Sequence, residues 1–458
     1  MKITLKKNKL SILIAFLPIL ISIIVLIISF FNYSFSFIVL LPLAYSVGFL
    51  FIFLFDVTFM KSIVKKLVMV LFACRMLIYP SLLIIDNSSI ISNISIYCVL
   101  LQIYEFIITM WIIIFFKTNY TNSTLNLEID LYKTKVLKRL IVILIFASIG
   151  LIILYPTFLN IYKPLIFSSV EDQIKWNNAT SHITDDIPII IYQFGRWLIQ
   201  LCTLLVAYFV VIVLKNKKEL DDNKLFPIFL SLLPIGLLLI FVTSDKAGAF
   251  FAAGALLLLL MNLHKKYKKI IIKIGIIGLL FAFTLVFLVM PIRQKDNKKI
   301  YETINEYFSG SENIEAGLKM PNYNSYEYIK GDIFRYIPMV VSFYTECPQS
   351  NDLYNYVLGK DIKYNSQIMP TIIQGRFYFG FILSPIFTVL LLLFALRSEK
   401  KANNCSDSFG FFVYYYFSIF FSSGIILYYF SLTVYLVLQY VFPLWVMYKL
   451  FVRREKSV

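Results

Sequence analysis

LFPIFLSLLPIGLLLIFVTSDKAGAFFAAGALLLLLMNL, residues Leu225 to Leu263, is one apolar run interrupted only by Ser244, Asp245 and Lys246. A hydrocarbon core about 30 Å thick takes about 20 apolar residues of helix, so the run is close to two crossings long. Its flanks settle the number. Lys215, Lys217 and Lys218 precede it, and Lys265, Lys266, Lys268 and Lys269 follow it. Lysine-rich flanks mark the cytoplasmic side, so both ends of the run lie there and the chain crosses twice. The run reads as a membrane hairpin with the Ser-Asp-Lys break at its outer tip.

Working outward from this hairpin, twelve stretches qualify as spans. They lie near Leu10–Phe31, Phe35–Phe55, Leu67–Ile85, Ser95–Phe116, Leu140–Leu159, Pro188–Leu214, Leu225–Thr243, Lys246–Leu263, Ile270–Met290, Phe377–Leu396, Phe409–Phe430 and Leu432–Leu450. The expected fold class is therefore an all-α polytopic membrane protein with about twelve transmembrane helices and both termini cytoplasmic. The first stretch follows Lys2, Lys6, Lys7 and Lys9, and its apolar run is too long for a signal-peptide core, so it is expected to remain as an anchor.

Composition agrees. The chain is 59% hydrophobic and 15% charged, with mean hydropathy +0.79, which leaves too little polar surface to cover a water-soluble globule. The formal net charge of +17 lies almost wholly on the cytoplasmic side of the spans, and the outer side is close to neutral. The charge is thus an orientation signal. No basic segment is long enough, or interleaved with enough aromatics, to make a nucleic-acid surface. Of the five cysteines, Cys74, Cys98 and Cys202 fall in spans, Cys405 is cytoplasmic and Cys347 alone faces outward, so no internal disulfide is expected. No Cys/His metal spacing and no Walker loop is present, and no cofactor is expected.

Two outer connections are long, 160–187 and 291–376. They divide the chain into a membrane domain of nine helices (1–290), a large outer segment (291–376) and a final three helices (377–458). The outer segment has balanced charge and many tyrosines, which suits a small, mainly helical folded cap between helices 9 and 10 rather than disorder. Helical apolar spacing (Ile333, Tyr336, Ile337, Val340) predicts a helix over Asp332–Tyr344. Tyrosine suits both a membrane-interface belt and stacking on sugar rings.

The arginines are informative because Lys is otherwise the usual cation in this chain. Arg139, Arg397, Arg453 and Arg454 are cytoplasmic anchors, whereas Arg75, Arg196, Arg293, Arg335 and Arg376 lie in spans or on the outer side. Arg75 and Glu105 fall near the middles of neighbouring antiparallel spans, where each alone would cost ~2.5–3.5 kcal/mol, so a structural ion pair is expected. Arg196 lies about 12 Å inside the outer end of its span, a depth that suits a lipid phosphate or snorkelling to the headgroups. Arg293 and Arg376 stand at the two feet of the long outer segment. Arg335 follows Asp332 by three residues, a spacing that also permits a local salt bridge. Outer candidates for a base include Asp172, Asp332 and His182.

Three short runs of the outer segment bear on family: Gly331-Asp332-Ile333-Phe334-Arg335-Tyr336, Leu358-Gly359-Lys360-Asp361, and Gln367-Ile368-Met369-Pro370 followed by Tyr378-Phe379-Gly380. With the span count and the enlarged third and fifth outer loops, they resemble the O-antigen and capsule oligosaccharide repeat-unit polymerases, which are related to the O-antigen ligases. That resemblance implies a metal-independent glycosyltransferase in the bacterial cytoplasmic (inner) membrane. It would move a growing glycan from undecaprenyl pyrophosphate onto the next lipid-linked repeat unit, at the outer face. On that reading Arg196, Arg293, Arg335 and Arg376 bind the lipid pyrophosphate or dock the loop, and Asp332, Asp172 or His182 serves as base. The partners it implies are the undecaprenyl-pyrophosphate-linked oligosaccharide, the bilayer, and a chain-length regulator and flippase of the same pathway. A lipid-linked oligosaccharide flippase is a rival, although it has no obvious use for so long an outer loop. A ligase differs only in its acceptor.

Overall fold

A computed structural model describes residues 9–31, 36–117, 127, 131–162, 188–216, 226–241, 246–284, 299–321, 326–335, 337, 344, 346–359 and 367–453. The described residues form α-helices joined by short 3-10 and π turns. Their order is α1 (Lys9–Phe31), α2 (Leu40–Phe55), α3 (Ile63–Ala73) running through a π turn (Cys74–Ile78) into α4 (Tyr79–Ile85), α5 (Ile96–Phe115), α6 (Leu131–Leu154), α7 (Ile189–Asn216), α8 (Phe226–Phe241), α9 (Lys246–Leu263) and α10 (Lys268–Thr284). Short helices follow: α11 (Ile300–Phe308), α12 (Ser311–Leu318), α13 (Tyr326–Phe334), α14 (Ser350–Val357) and α15 (Thr371–Phe379). The chain closes with α16 (Ile386–Asn403), α17 (Ser408–Leu427), and α18 (Phe430–Leu436) running through a second π turn (Val437–Val441) into α19 (Phe442–Arg453).

Seven helices among the described residues are long and apolar enough to cross a membrane, at Phe37–Phe55, Ile63–Ile85, Ile96–Phe115, Lys135–Leu154, Ile190–Lys215, Ser408–Leu427 and Phe430–Leu450. Shorter apolar helices cover Ala15–Phe31 and Phe250–Leu263. The chain is therefore a multi-pass helical membrane protein whose outward-facing apolar side chains meet the bilayer. Helix starts are chemically marked: Ser62, Ser95 and Asp407 each accept a backbone N–H from the first turn of the following helix.

One expectation changes in detail. The tenth stretch, Phe377–Leu396, is not one helix. Gly380, at φ +77°, ends α15, a conformation that costs glycine little, and a turn leads to Pro385 and α16. A Cβ at Gly375 would meet the Ser384 carbonyl oxygen at 2.0 Å, so only glycine lets α15 lie this close to the turn. Of the helix expected over Asp332–Tyr344, the start coincides with the end of α13 and Tyr344 is helical, while residues 336, 338–343 and 345 lie outside the described residues.

Packing divides the spans into two bodies. The first joins α1–α5, α16 and the apolar sides of α11, α12, α14 and α15 in one core. The second joins α6–α9 and the start of α10 to α18, its π turn and α19. α17 contributes to both, Ile425 and Ile426 to the first and Phe411, Phe412, Tyr416 and Phe420 to the second.

The short helices are tied to the first body by side chains that reach far along the sequence. Ser95 donates Oγ and N to Glu315 Oε2 at 2.6 and 2.9 Å. Gln102 donates to Ser311 Oγ at 3.0 Å, and Ser309 Oγ to the Ile426 carbonyl at 3.1 Å. At the opposite end of the same bundle, Glu399 receives Ser62 Oγ at 2.5 Å and the Ile63 N–H at 2.6 Å, so it caps α3 from the far end of α16. Lys65 meets Asp56 Oδ2 there at 2.6 Å, both buried.

Candidate functional site

The two bodies meet along α18, and the residues that line it are spaced for the purpose. Ser431, Tyr435 and Gln439 recur every fourth residue, which on a helix places them in one stripe. The top of the stripe faces α13 and α15, and the lower part faces α7.

At the top, Gln374 of α15 donates Nε2 to Ser431 Oγ at 3.2 Å, to Ser350 Oγ at 2.9 Å and to Asp332 Oδ2 at 2.8 Å. Its Oε1 accepts the Phe430 N–H at 2.6 Å, so one amide both caps the entry to α18 and binds the outer segment to it. Asp332, fully buried, also receives the Ser350 N–H at 3.1 Å, Ser350 Oγ at 2.5 Å and the Tyr378 hydroxyl. Burial raises the Asp332 carboxyl above its usual value, and the Ser350 and Tyr378 donors oppose that shift. A carboxylate offers about four lone-pair directions, and four donors take them here. Asp332 therefore anchors the outer segment, with its lone pairs occupied by these donors.

Lower on the stripe, Arg196 of α7 is buried, with its guanidinium carbon 5.7 Å from the centre of the Tyr435 ring. One turn on, Gln200 accepts a hydrogen bond from Gln439 Nε2 in the π turn. A buried cation thus lies over an aromatic face one turn below the docking point of the outer segment.

Arg376 is elsewhere. It follows Gln374 by two residues, about 200° around α15, and its Nη1 is 3.4 Å from the Gly317 carbonyl on α12. Burial lowers its basicity from the usual arginine value. Arg335 does not pair with Asp332, which is buried; its Nη1 lies 3.9 Å from Asp352 Oδ2, at the half-exposed end of α13. Arg75 Nη1 lies 2.8 Å from Glu105 Oε2, with both side chains buried, and Thr388 Oγ1 donates to Glu105 Oε1 at 2.5 Å. Arg293, Asp172 and His182 lie outside the described residues. Among the described residues no group of three or more His, Cys, Asp or Glu is placed to hold a metal ion.

The structure thus brings Asp332 and Arg196 to one helix and leaves Arg335, Arg376 and Arg75 on other surfaces. Sequence reasoning missed Ser350, Gln374, Tyr378, Ser431 and Gln439. The four-residue repeat of polar side chains within an apolar span was the available signal for α18, whereas nothing local marks Ser350 or Gln374. No family model, no curated protein and no solved structure matches this chain.

Proposed function

We propose that the chain polymerises polyprenyl-pyrophosphate-linked oligosaccharide repeat units at the outer face of a bacterial cytoplasmic membrane. The observation that carries this reading is Arg196, a buried guanidinium held over Tyr435 where the helical outer segment docks on α18. Pyrophosphate is already a good leaving group, so catalysis needs fixed positive charge where anionic charge develops. Arginine supplies this without proton transfer and can grip phosphate through two parallel N–H groups. Arg196 is assigned to the lipid pyrophosphate together with Arg293 at the first foot of the outer segment. Asp332, Arg335 and Arg376 hold that segment in place. The acceptor hydroxyl needs a base, and Asp172 and His182 of the 160–187 connection are the remaining candidates. In this arrangement no step calls for a metal.

The test is glycan length in cells that carry the chain as their only copy. Arg196→Ala and Arg293→Ala should leave membrane insertion intact and abolish long-chain glycan, while single-repeat product persists. Arg196→Lys should recover only part of the chain length, since a point charge cannot replace the fork. Normal length in both alanine variants would remove the proposal. Lipid-linked repeats accumulating on the cytoplasmic side in the deletion strain would indicate a flippase instead.

A further inference from the structure

The first body contains a second set of buried polar atoms that the proposed reaction does not use. Arg75 sits in the π turn between α3 and α4, about halfway along α5 as judged from its partner Glu105. One Nη meets Glu105, but Nε and Nη2 are buried without a hydrogen-bond partner. Two acceptors in the same interface are also unmatched, Gln102 Oε1 and Asn305 Oδ1. Gln102 lies one turn outward of Glu105 on the buried face of α5. Asn305 belongs to α11, which packs on the π turn. A Cβ at Gly310 would stand 2.5 Å from Asn305 Oδ1 and 2.8 Å from Tyr79 Cε1, which places that oxygen beside the Tyr79 ring. Tyr79 in turn closes the π turn by donating its N–H to the Cys74 carbonyl. Unmatched donors and acceptors therefore lie on three neighbouring elements, the π turn, α5 and α11.

The chemistry of the bridging group follows. Each buried polar atom left dry costs about 1–3 kcal/mol, more when charged. Whatever links an arginine N–H to an amide oxygen must accept from the first and donate to the second. Ionised carboxylates only accept and ammonium groups only donate, so the requirement selects a group that does both, of which water is the smallest. We infer that the wedge between the Arg75 π turn, Gln102 and Asn305 is a water-binding site that hydrates the Arg75–Glu105 pair at mid-membrane depth. The π turn is a local departure from the i→i+4 ladder of a kind frequent at functional sites. Water also removes part of the desolvation cost of an ion pair in hydrocarbon surroundings. The site is distinct from the α18 seam and stands or falls independently of the polymerase reading.

Ordered internal water generates hydroxyl radicals in place under a synchrotron X-ray pulse and oxidises the side chains it touches, however buried. The full chain in lipid nanodiscs would be exposed in this way and oxidation read by mass spectrometry. Tyr79 and Tyr208 are a matched pair: both rings are buried, and the Tyr208 hydroxyl is bonded to Ser408 in the second body. Tyr79 should oxidise about tenfold faster than Tyr208 if water lies beside it. Gln102→Leu, which removes one acceptor, should lower the Tyr79 rate several-fold and leave Tyr208 unchanged. Equal rates for the two tyrosines in the unaltered protein would overturn the site, as would a Tyr79 rate indifferent to Gln102→Leu. The first measurement needs no variant, so it stands even if Gln102→Leu fails to fold.

Discussion

The two bodies of this membrane domain are held together by different forces. In the first, α1–α5 with α16, charge is buried and matched: Lys65 with Asp56, Arg75 with Glu105, and Glu399 with the start of α3. In the second, α6–α10 with α18 and α19, the described interior is mainly aliphatic and aromatic, with rings of Phe251, Tyr416, Phe420 and Tyr428 meeting edge to face and Tyr208 against Phe409 and Phe412. Lipid is as apolar as leucine, so packing alone gives little reason for one helix to choose one neighbour. Buried ion pairs and caps do give such a reason, because a wrong pairing strands a charge. The outer segment docks on the body that has this specificity, and its described residues also reach α17, Tyr428 and α18, which border the other body.

That contrast predicts a ranked set of effects. The largest should follow from breaking a pair in the first body: Glu105→Leu leaves Arg75 buried alone and should cost about 3–5 kcal/mol, read as loss of thermal stability in detergent. The double variant Arg75→Met/Glu105→Leu should recover most of that loss, and failure to recover would mean the pair does more than balance charge. Next comes Asp332→Asn, which turns an amide N–H toward groups that donate to the carboxylate. It should cost about 1–3 kcal/mol and make the 299–379 segment more sensitive to limited proteolysis. In the second body, Phe420→Leu should cost only about 1 kcal/mol, because a smaller apolar side chain repacks, and proteolysis of the outer segment should be unchanged. The smallest effect belongs to the exposed Lys299–Asp86 pair, 2.6 Å apart at the surface: Lys299→Met should give no measurable shift in Tm. A Phe420→Leu loss as large as that of Glu105→Leu would erase the distinction between the bodies.

Much of this was readable in the chain. Runs of 20 apolar residues predict helices in lipid whatever surrounds them, because no other open structure satisfies the backbone there. All twelve expected stretches coincide with described helix over most of their length, and the tenth is interrupted at Gly380. Arg75 and Glu105 were legible as partners because unpaired charge is costly at that depth and the two spans are joined by a short connection. The outer segment was harder. Its short helices carry weak local signals, and Arg335 took Asp352 in place of Asp332. The anchor at Asp332 could not be read at all, since its donors come from Ser350, Gln374 and Tyr378, contributed by two other helices.

By itself, then, the sequence determined that the chain lies in a membrane as helices and which way its charge asks them to run. Both follow from terms that act on each segment alone: apolar transfer, backbone hydrogen bonding and the preference of lysine for one side. Only the tertiary structure decided which helices share a core, that Asp332 is consumed in anchoring, and that Arg196 and Arg376 sit on different surfaces. Those outcomes depend on contacts between residues hundreds of positions apart, such as Ser62 with Glu399 and Gln200 with Gln439, whose free energy exists only once the chain has closed.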